Sequence, residues 1–194
     1  LRVHEEMVSV SGEMEFDRDG RGKLFRDAAL SLQDGAKERR ATLSDKIERL
    51  VEIVNRPENR RDHFLLWHDL EDERRAIPGA RAVYGSQDDD EADEVIRAFK
   101  DGELKYLAAK PEMLGEGLNF QYHCHKAIMF IDYKFNDKFQ AVHRIHRFMQ
   151  KHPVDLYLVY AESEAEIFKS FMHKWEQHNQ MVSNLVKLLR VYGL

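Results

Sequence analysis

The sequence is poor in several things, and each shortage removes a class of protein. It holds one cysteine, Cys124, in 194 residues. No disulfide can close within the chain, which fits a reducing compartment and leads us to expect a cytoplasmic protein. Four prolines and ten glycines are too few for a collagen-like or low-complexity chain. No run approaches the roughly 18 apolar residues of a membrane span, and the opening "LRVHEEMVSV" lacks the basic-then-apolar layout of a signal peptide, so no membrane partner is expected. A basic excess is also missing: 30 Lys and Arg against 35 Asp and Glu leave a formal charge of -5. A chain of that sign does not coat nucleic acid by bulk electrostatics, and any phosphate site must be built from local charge. No internal repeat is visible. The first residue is Leu1, with a pattern already under way, as expected of a piece of something longer.

What is present is ordinary for a folded domain: 43% hydrophobic and 34% charged residues, at a length that buries a core in one compact unit. Residues 1–40 read as an irregular leader broken by Gly12, Gly20, Gly22 and Gly35, with "KLFRDAALSLQ" (23–33) as a short amphipathic helix. Ser44 is placed to cap a helix over "DKIERLVEIVN", where Ile47, Leu50, Val51 and Val54 share one face and Pro57 closes the element. The pattern then alternates. "HFLLW" (63–67), "ARAVY" (80–84), "LKYLAA" (104–109), "KAIMFID" (126–132) and "VDLYLVY" (154–160) predict strands; "EADEVIRAFKDG" (91–102) predicts a helix stopped by Gly102, and residues 163–192 a long helical tail. This order predicts an α/β fold with a mostly parallel sheet, helices on both faces and functional loops at the carboxyl ends of the strands. The acidic run "DDDEADE" (88–94) needs no function: carboxylates are favoured at a helix N-terminus.

The stretch "FQAVHRIHRFMQ" (139–150) carries the chemistry. Wound as a helix at about 100° per residue, it puts Gln140, Arg144 and Arg147 in one arc, with His143 and Gln150 at the margin, and Ala141, Val142, Ile145, Phe148 and Met149 on the opposite face. Two guanidiniums one turn apart repel unless an anion faces them, either Asp132 or Asp137 of the chain or a ligand. The glycine-broken "LGEGLNF" leaves the preceding strand toward the same edge. There Gly115 and Gly117 would admit a close backbone approach and Asn119 supply an amide. Guanidiniums suit phosphate, donating planar pairs of hydrogen bonds while staying charged.

The pieces "YGS" (84–86), "LAAKPEMLGEGLNF" (107–120), "IMFID" (128–132) and "FQAVHRIHRFMQKHPVDLYLVY" (139–160) resemble, in order and separation, the second RecA-like lobe of superfamily-two helicases and translocases. The branch they resemble is the Swi/Snf-like one, and "GLNFQ" and "RFMQ" are similar to helicases of phages and mobile elements. The match runs over residues 44–175. Its most specific part is Gln140, Arg144 and Arg147, which match motif VI of that family without a gap. The resemblance implies a P-loop NTPase type of fold, with residues 41–175 as the lobe, 1–40 as a linker and 176–194 as a helical extension. It further implies that ATP and magnesium are held mainly by a first lobe outside this chain. Arg144 and Arg147 would then reach the phosphates as arginine fingers, with Gln140 orienting them. Gly115, Gly117 and Asn119 would serve the nucleotide site, while Gly85, Ser86 and Lys110 would touch a nucleic-acid backbone, DNA being the expected track. Alone, the fragment is expected not to hydrolyse ATP.

Three departures weaken the match. Met149 stands where motif VI has glycine, and Lys110-Pro111 replaces the Ser-Thr common in the family. "DRDGRGKLF" (17–25) is no phosphate-cradling loop, because Asp17 replaces its first glycine and Leu24 the Ser or Thr that binds magnesium. Two other readings stand beside the motor lobe. One is a RecA-like module that binds nucleic acid or protein without ATPase activity. The other is a metal-dependent hydrolase built on His123, Cys124, His125, His143 and His146, although neighbours in "YHCHK" point to opposite faces and no second cysteine completes a set. Trp67-His68 reads as the end of a core strand or as a base-stacking pair.

Overall fold

The computed structural model describes residues 1–9, 39–114, 118–132 and 134–192; the leader helix expected at 23–33, with Gly115 and Gly117, lies outside them. Six strands form one sheet in the order β1-β6-β5-β2-β4-β3, every pair parallel: β1 (Arg2–Val8), β2 (His63–Trp67), β3 (Arg81–Val83), β4 (Tyr106–Ala109), β5 (Cys124–Phe130) and β6 (Asp155–Ala161). Among the described residues five α-helices complete it: α1 (Leu43–Asn55), α2 (Glu71–Ala76), α3 (Asp89–Lys100), α4 (Phe135–Val142) and α5 (Ala165–Val191).

Interior parallel strands are buried on both sides, which explains their near-continuous apolar runs. Successive residues then serve opposite layers. Leu65, Trp67, Leu107, Met129 and Leu158 pack with Val95 and Phe99 of α3 and with Phe171 and Trp175 of α5. Phe64, Leu66, Ile128, Phe130 and Val159 pack with Leu50, Ile53 and Val54 of α1. Trp67 and His68 are 1% and 0% exposed, so this pair belongs to the core and stacks on no base.

Two boundaries move. α1 is capped at Thr42 rather than Ser44, and with no side-chain capping bond to the helix. α3 begins inside the acidic run, where Asp88 accepts the Asp90 N–H at 3.0 Å, and Gly102 past its end takes φ +80°, the left-handed conformation that ends helices.

Residues 2–8, expected to be irregular, are a strand. Only Val3, Met7 and Val8 of "RVHEEMV" are apolar, too few to show as a buried run. The strand is held by distant polar partners. Arg2 donates twice to Asp155, at 2.7 and 2.6 Å, His4 bonds Asp155 at 2.7 Å and stacks on Tyr157, and Glu6 pairs with Arg56 at 2.8 Å.

The loops after β2 and β5, neighbours in the sheet, leave in opposite directions, one toward β3 and the other toward β6. Such a switch point opens a crevice at the carboxyl edge. Here a buried ion cluster fills it. Arg39 donates to Glu73 at 2.7 and 2.8 Å and to Asp69 at 3.1 Å, reaches Asp132 at 3.5 Å, and Lys138 of α4 pairs with Asp69.

Candidate functional site

The site grows from the end of α4. Lys138, Ala141 and Val142 fix that helix's inner face, and the Asp132 carboxylate accepts the Lys134 N–H at 2.9 Å at its start. The spacing predicts a helix through Gln150, but the structure ends it at Val142. Beyond that point the bonds tighten to three-residue spacing, with Arg144 N–H to the Ala141 carbonyl at 3.1 Å and Ile145 N–H to Val142 at 3.2 Å. Ile145 plugs the core at 0% exposure, but Phe148 and Met149, expected on the core face, are 91% and 58% exposed. Without the helix their inward arc does not exist.

Gln140, Arg144 and Arg147 nevertheless come together. With His143 and His146, and between Phe139 and Phe148, they line an open pocket of about 480 Å³ with no Asp or Glu among the described residues that line it. The second loop arrives as expected. Arg144 donates to the Leu114 carbonyl at 3.0 Å, Arg147 donates to the Leu118 carbonyl at 3.1 Å and to Asn119 Oδ1, and the Phe120 N–H donates to the Arg144 carbonyl at 3.2 Å. The two arginines therefore fasten both flanks of the segment that carries Gly115 and Gly117.

The two carboxylates expected as partners of this pair lie elsewhere. Asp132 belongs to the buried cluster with Arg39, and Asp137 sits in the first turn of α4 beside Lys134 and Lys174. The exposed Arg147 has only neutral acceptors among the described residues. A guanidinium held by carbonyls is oriented but not neutralised, so it is prepared for an anion.

Met149 has φ 71° and is the one non-glycine residue with positive φ among those described. This is the position at which glycine is expected. The loop keeps the backbone that glycine would adopt freely and forces a β-carbon into it. Gln150 ties the loop down: Nε2 donates to the Cys124 and Ile145 carbonyls, both at 3.1 Å, and Oε1 accepts the His152 N–H at 3.0 Å. Sequence spacing put Gln150 at the margin of the arginine face and missed this anchoring role.

Gly85 and Ser86 are exposed in the turn after β3, where the Gln87 N–H donates to the Tyr84 carbonyl at 3.1 Å. A β-carbon on Gly85 would meet the Met113 side chain at 3.6 Å, so this turn sits against the short helix that Lys110 opens. These three residues lie along the carboxyl edge of β3 and β4, and none of them lines the arginine pocket.

The sequence gives no sign of the buried cluster, because Arg39, Asp69, Glu73, Asp132 and Lys138 are scattered along it. Burial works against Arg39's charge, yet Glu73, Asp69 and Asp132 hold its pKa raised. Burial opposes Asp69's charge as well, but Lys138 and Arg39 bring it down to about 2, while burial and Asp69 raise Asp132. His68, sealed beside them, is lowered to about 4 by burial. The histidines of "YHCHK" diverge: His123 faces His63, and His125 faces His152 at 5.0 Å. Among the described residues no group of three or more His, Cys, Asp and Glu could hold a metal.

No family model matches the sequence, and no curated protein does. Solved structures do. The C-terminal part of the Fun30 ATPase domain superposes with TM-score 0.56 at 17% identity, covering 64% of this chain and 44% of that one. A variant S. cerevisiae Dbp5 C-terminal domain, bound to a Gle1 variant and IP6, gives 0.54 at 13% identity, over 75% and 93% of the two chains. A longer S. cerevisiae Dbp5 chain in a complex with the same partners gives 0.54 at 11%, over 81% and 52%. The chain thus spans less than half the length of the Fun30 structure. At these identities the likeness shows the fold: a RecA-like parallel sheet, found also in the C-terminal parts of an ATPase domain and of Dbp5. No helix among the described residues is long and apolar enough to cross a membrane.

Proposed function

We propose that this chain is the second motor lobe of an ATP-dependent DNA helicase or translocase of the Swi/Snf-like branch, working in the cytoplasm. The observation that carries the reading is the pocket in which Arg147 is aimed by neutral acceptors beside Arg144 and Gln140. Triphosphate fits this donor set; magnesium does not fit the described lining, which offers it no carboxylate. The metal and the phosphate cradle therefore belong to a first lobe. When the lobes close, Arg144 and Arg147 stabilise charge developing on the phosphates and Gln140 orients them.

The tracked strand runs along the other part of the carboxyl edge. The Gly85 backbone, the Ser86 hydroxyl and the Lys110 ammonium contact its phosphates without reading sequence. Gly115, Gly117 and Asn119 serve the nucleotide site, with Asn119 accepting from Arg147. Because Arg144 and Arg147 bond both flanks of that segment, a phosphate that draws either guanidinium away also loosens the loop.

DNA-stimulated ATP hydrolysis by the full-length protein tests the reading. Arg147→Ala is expected to lower kcat by at least about 100-fold, on the scale of other positioned donors to a transition state, while leaving the melting temperature near wild type, because the side chain is exposed. Arg144→Ala is expected to match it in kcat. Unchanged turnover in both variants would refute the motor and leave the reading as an interaction module that binds nucleic acid or protein.

A further inference from the structure

Two titratable rings in the arginine pocket have no part in the mechanism above. His143 and His146 line it beside Arg144 and Arg147, with ring centroids 5.7 Å apart. His143 Nδ1 lies 3.2 Å from the His146 carbonyl. A carbonyl only accepts, so Nδ1 carries the hydrogen of the neutral ring and Nε2 is left bare, ready to take a proton.

The groups facing this pair come from two parts of the fold. Arg144 and Arg147 share its loop. From α5, His178 lies 4.1 Å from the Phe139 ring, and Phe139 lies edge-on to His143 at 4.6 Å. The pKa of His146 is lowered, by burial first and also by His143. Each of these groups is a cation or becomes one on protonation. Among the described residues no carboxylate bonds or pairs with either ring. A polyanion placed in the pocket would bring negative charge beside both rings and favour their protonated forms.

We propose that His143 and His146 take up protons when the pocket binds a polyphosphate, so that the lobe's affinity for phosphoanions is set by pH. The step is a protonation: each ring accepts a proton from water on a bare ring nitrogen and becomes an imidazolium facing the anion. This rests on the reading of the pocket as a phosphate clamp and adds its regulation. The sign follows from linkage. A bound anion raises the rings' proton affinity, so binding strengthens as pH falls from about 8 to about 6, through the ordinary histidine range.

The test follows the imidazole Hε1 signals of this chain by NMR from pH 5 to 8.5, without and with inorganic tripolyphosphate. The midpoints of His143 and His146 are expected to rise by roughly one pH unit on binding, while that of His152, which stacks on His125 elsewhere, stays put. Wild-type affinity is expected to rise several-fold from pH 8 to pH 6, beyond the change retained by the double variant His143→Gln/His146→Gln, which carries the ligand's own titration. A circular dichroism spectrum like that of wild type establishes that the variant is folded. Displacement of the Arg147 side-chain signals with both midpoints unmoved would overturn the proposal and leave the clamp standing; so would a double variant with the full wild-type pH dependence. If tripolyphosphate at millimolar concentration moves no pocket signal, both the proposal and the clamp are wrong.

Discussion

Met149→Gly is expected to make the protein more stable, against the usual rule that a mutation costs stability. At φ 71° the β-carbon crowds the following carbonyl, which costs a residue other than glycine about 1–2 kcal/mol. The side chain is 58% exposed, so its removal forfeits little packing. Against the relief stands the greater freedom that glycine gives the unfolded chain, about 0.5–1 kcal/mol. The difference favours the variant by about 0.5–1 kcal/mol, or roughly 1–4 °C in a chain of this size. Met149→Ala is the control, since alanine keeps the β-carbon and therefore the strain, and is expected to melt at or slightly below wild type. Thermal unfolding at pH 7, with urea unfolding beside it, measures all three proteins. If the glycine and alanine variants melt together, backbone strain at this position is not the cause and the reasoning is wrong.

Further outcomes follow from other parts of the structure. Arg39→Met removes the cation paired with the buried Glu73 and leaves Asp69 paired with Lys138; urea unfolding is expected to show a loss of about 3–5 kcal/mol. Cys124 is buried, with its thiol pushed up to about 12 chiefly by burial, so a thiol reagent at pH 8 should label the native chain no faster than it unfolds; rapid labelling would contradict the burial. Asp155 is held below the ordinary carboxylate range: burial opposes its charge, but its bonds to Arg2 and His4 prevail. The contribution of a depressed carboxylate is full above about 4 and is lost as pH falls through its lower folded value. Hydrogen exchange should therefore show β1 amides losing protection in acid before those of β2, and Asp155→Asn should show that loss already at pH 7.

Elements that a local pattern specifies were legible. The interior strands announce themselves as apolar runs between turn residues, and β2 falls on the residues expected. β5 begins two residues earlier than its apolar run suggests, because Cys124 pairs with His63. Elements fixed by partners far away were not legible: Asp155, 153 residues on, explains Arg2, and nothing near Glu73 announces Arg39. The candidate site lies between these cases. Spacing on an ideal helix grouped Gln140, Arg144 and Arg147 correctly, because the tighter turns after Val142 keep the two arginines on one side. It failed for Phe148 and Met149, where accumulated rotation matters and only the Gln150 anchor decides which way the chain turns.

The strand at residues 2–8 also bears on the order in which the molecule comes into being. β1 leaves the ribosome well before it can find its place, because the strand it pairs with begins at Asp155. At roughly 5–20 residues per second, β1 waits roughly 8–30 seconds for its neighbour. Its polar residues, the charged Arg2, Glu5 and Glu6 together with His4, keep it soluble for that interval and discourage premature pairing with other chains. The composition that hides the strand from a sequence reader also guards it during synthesis.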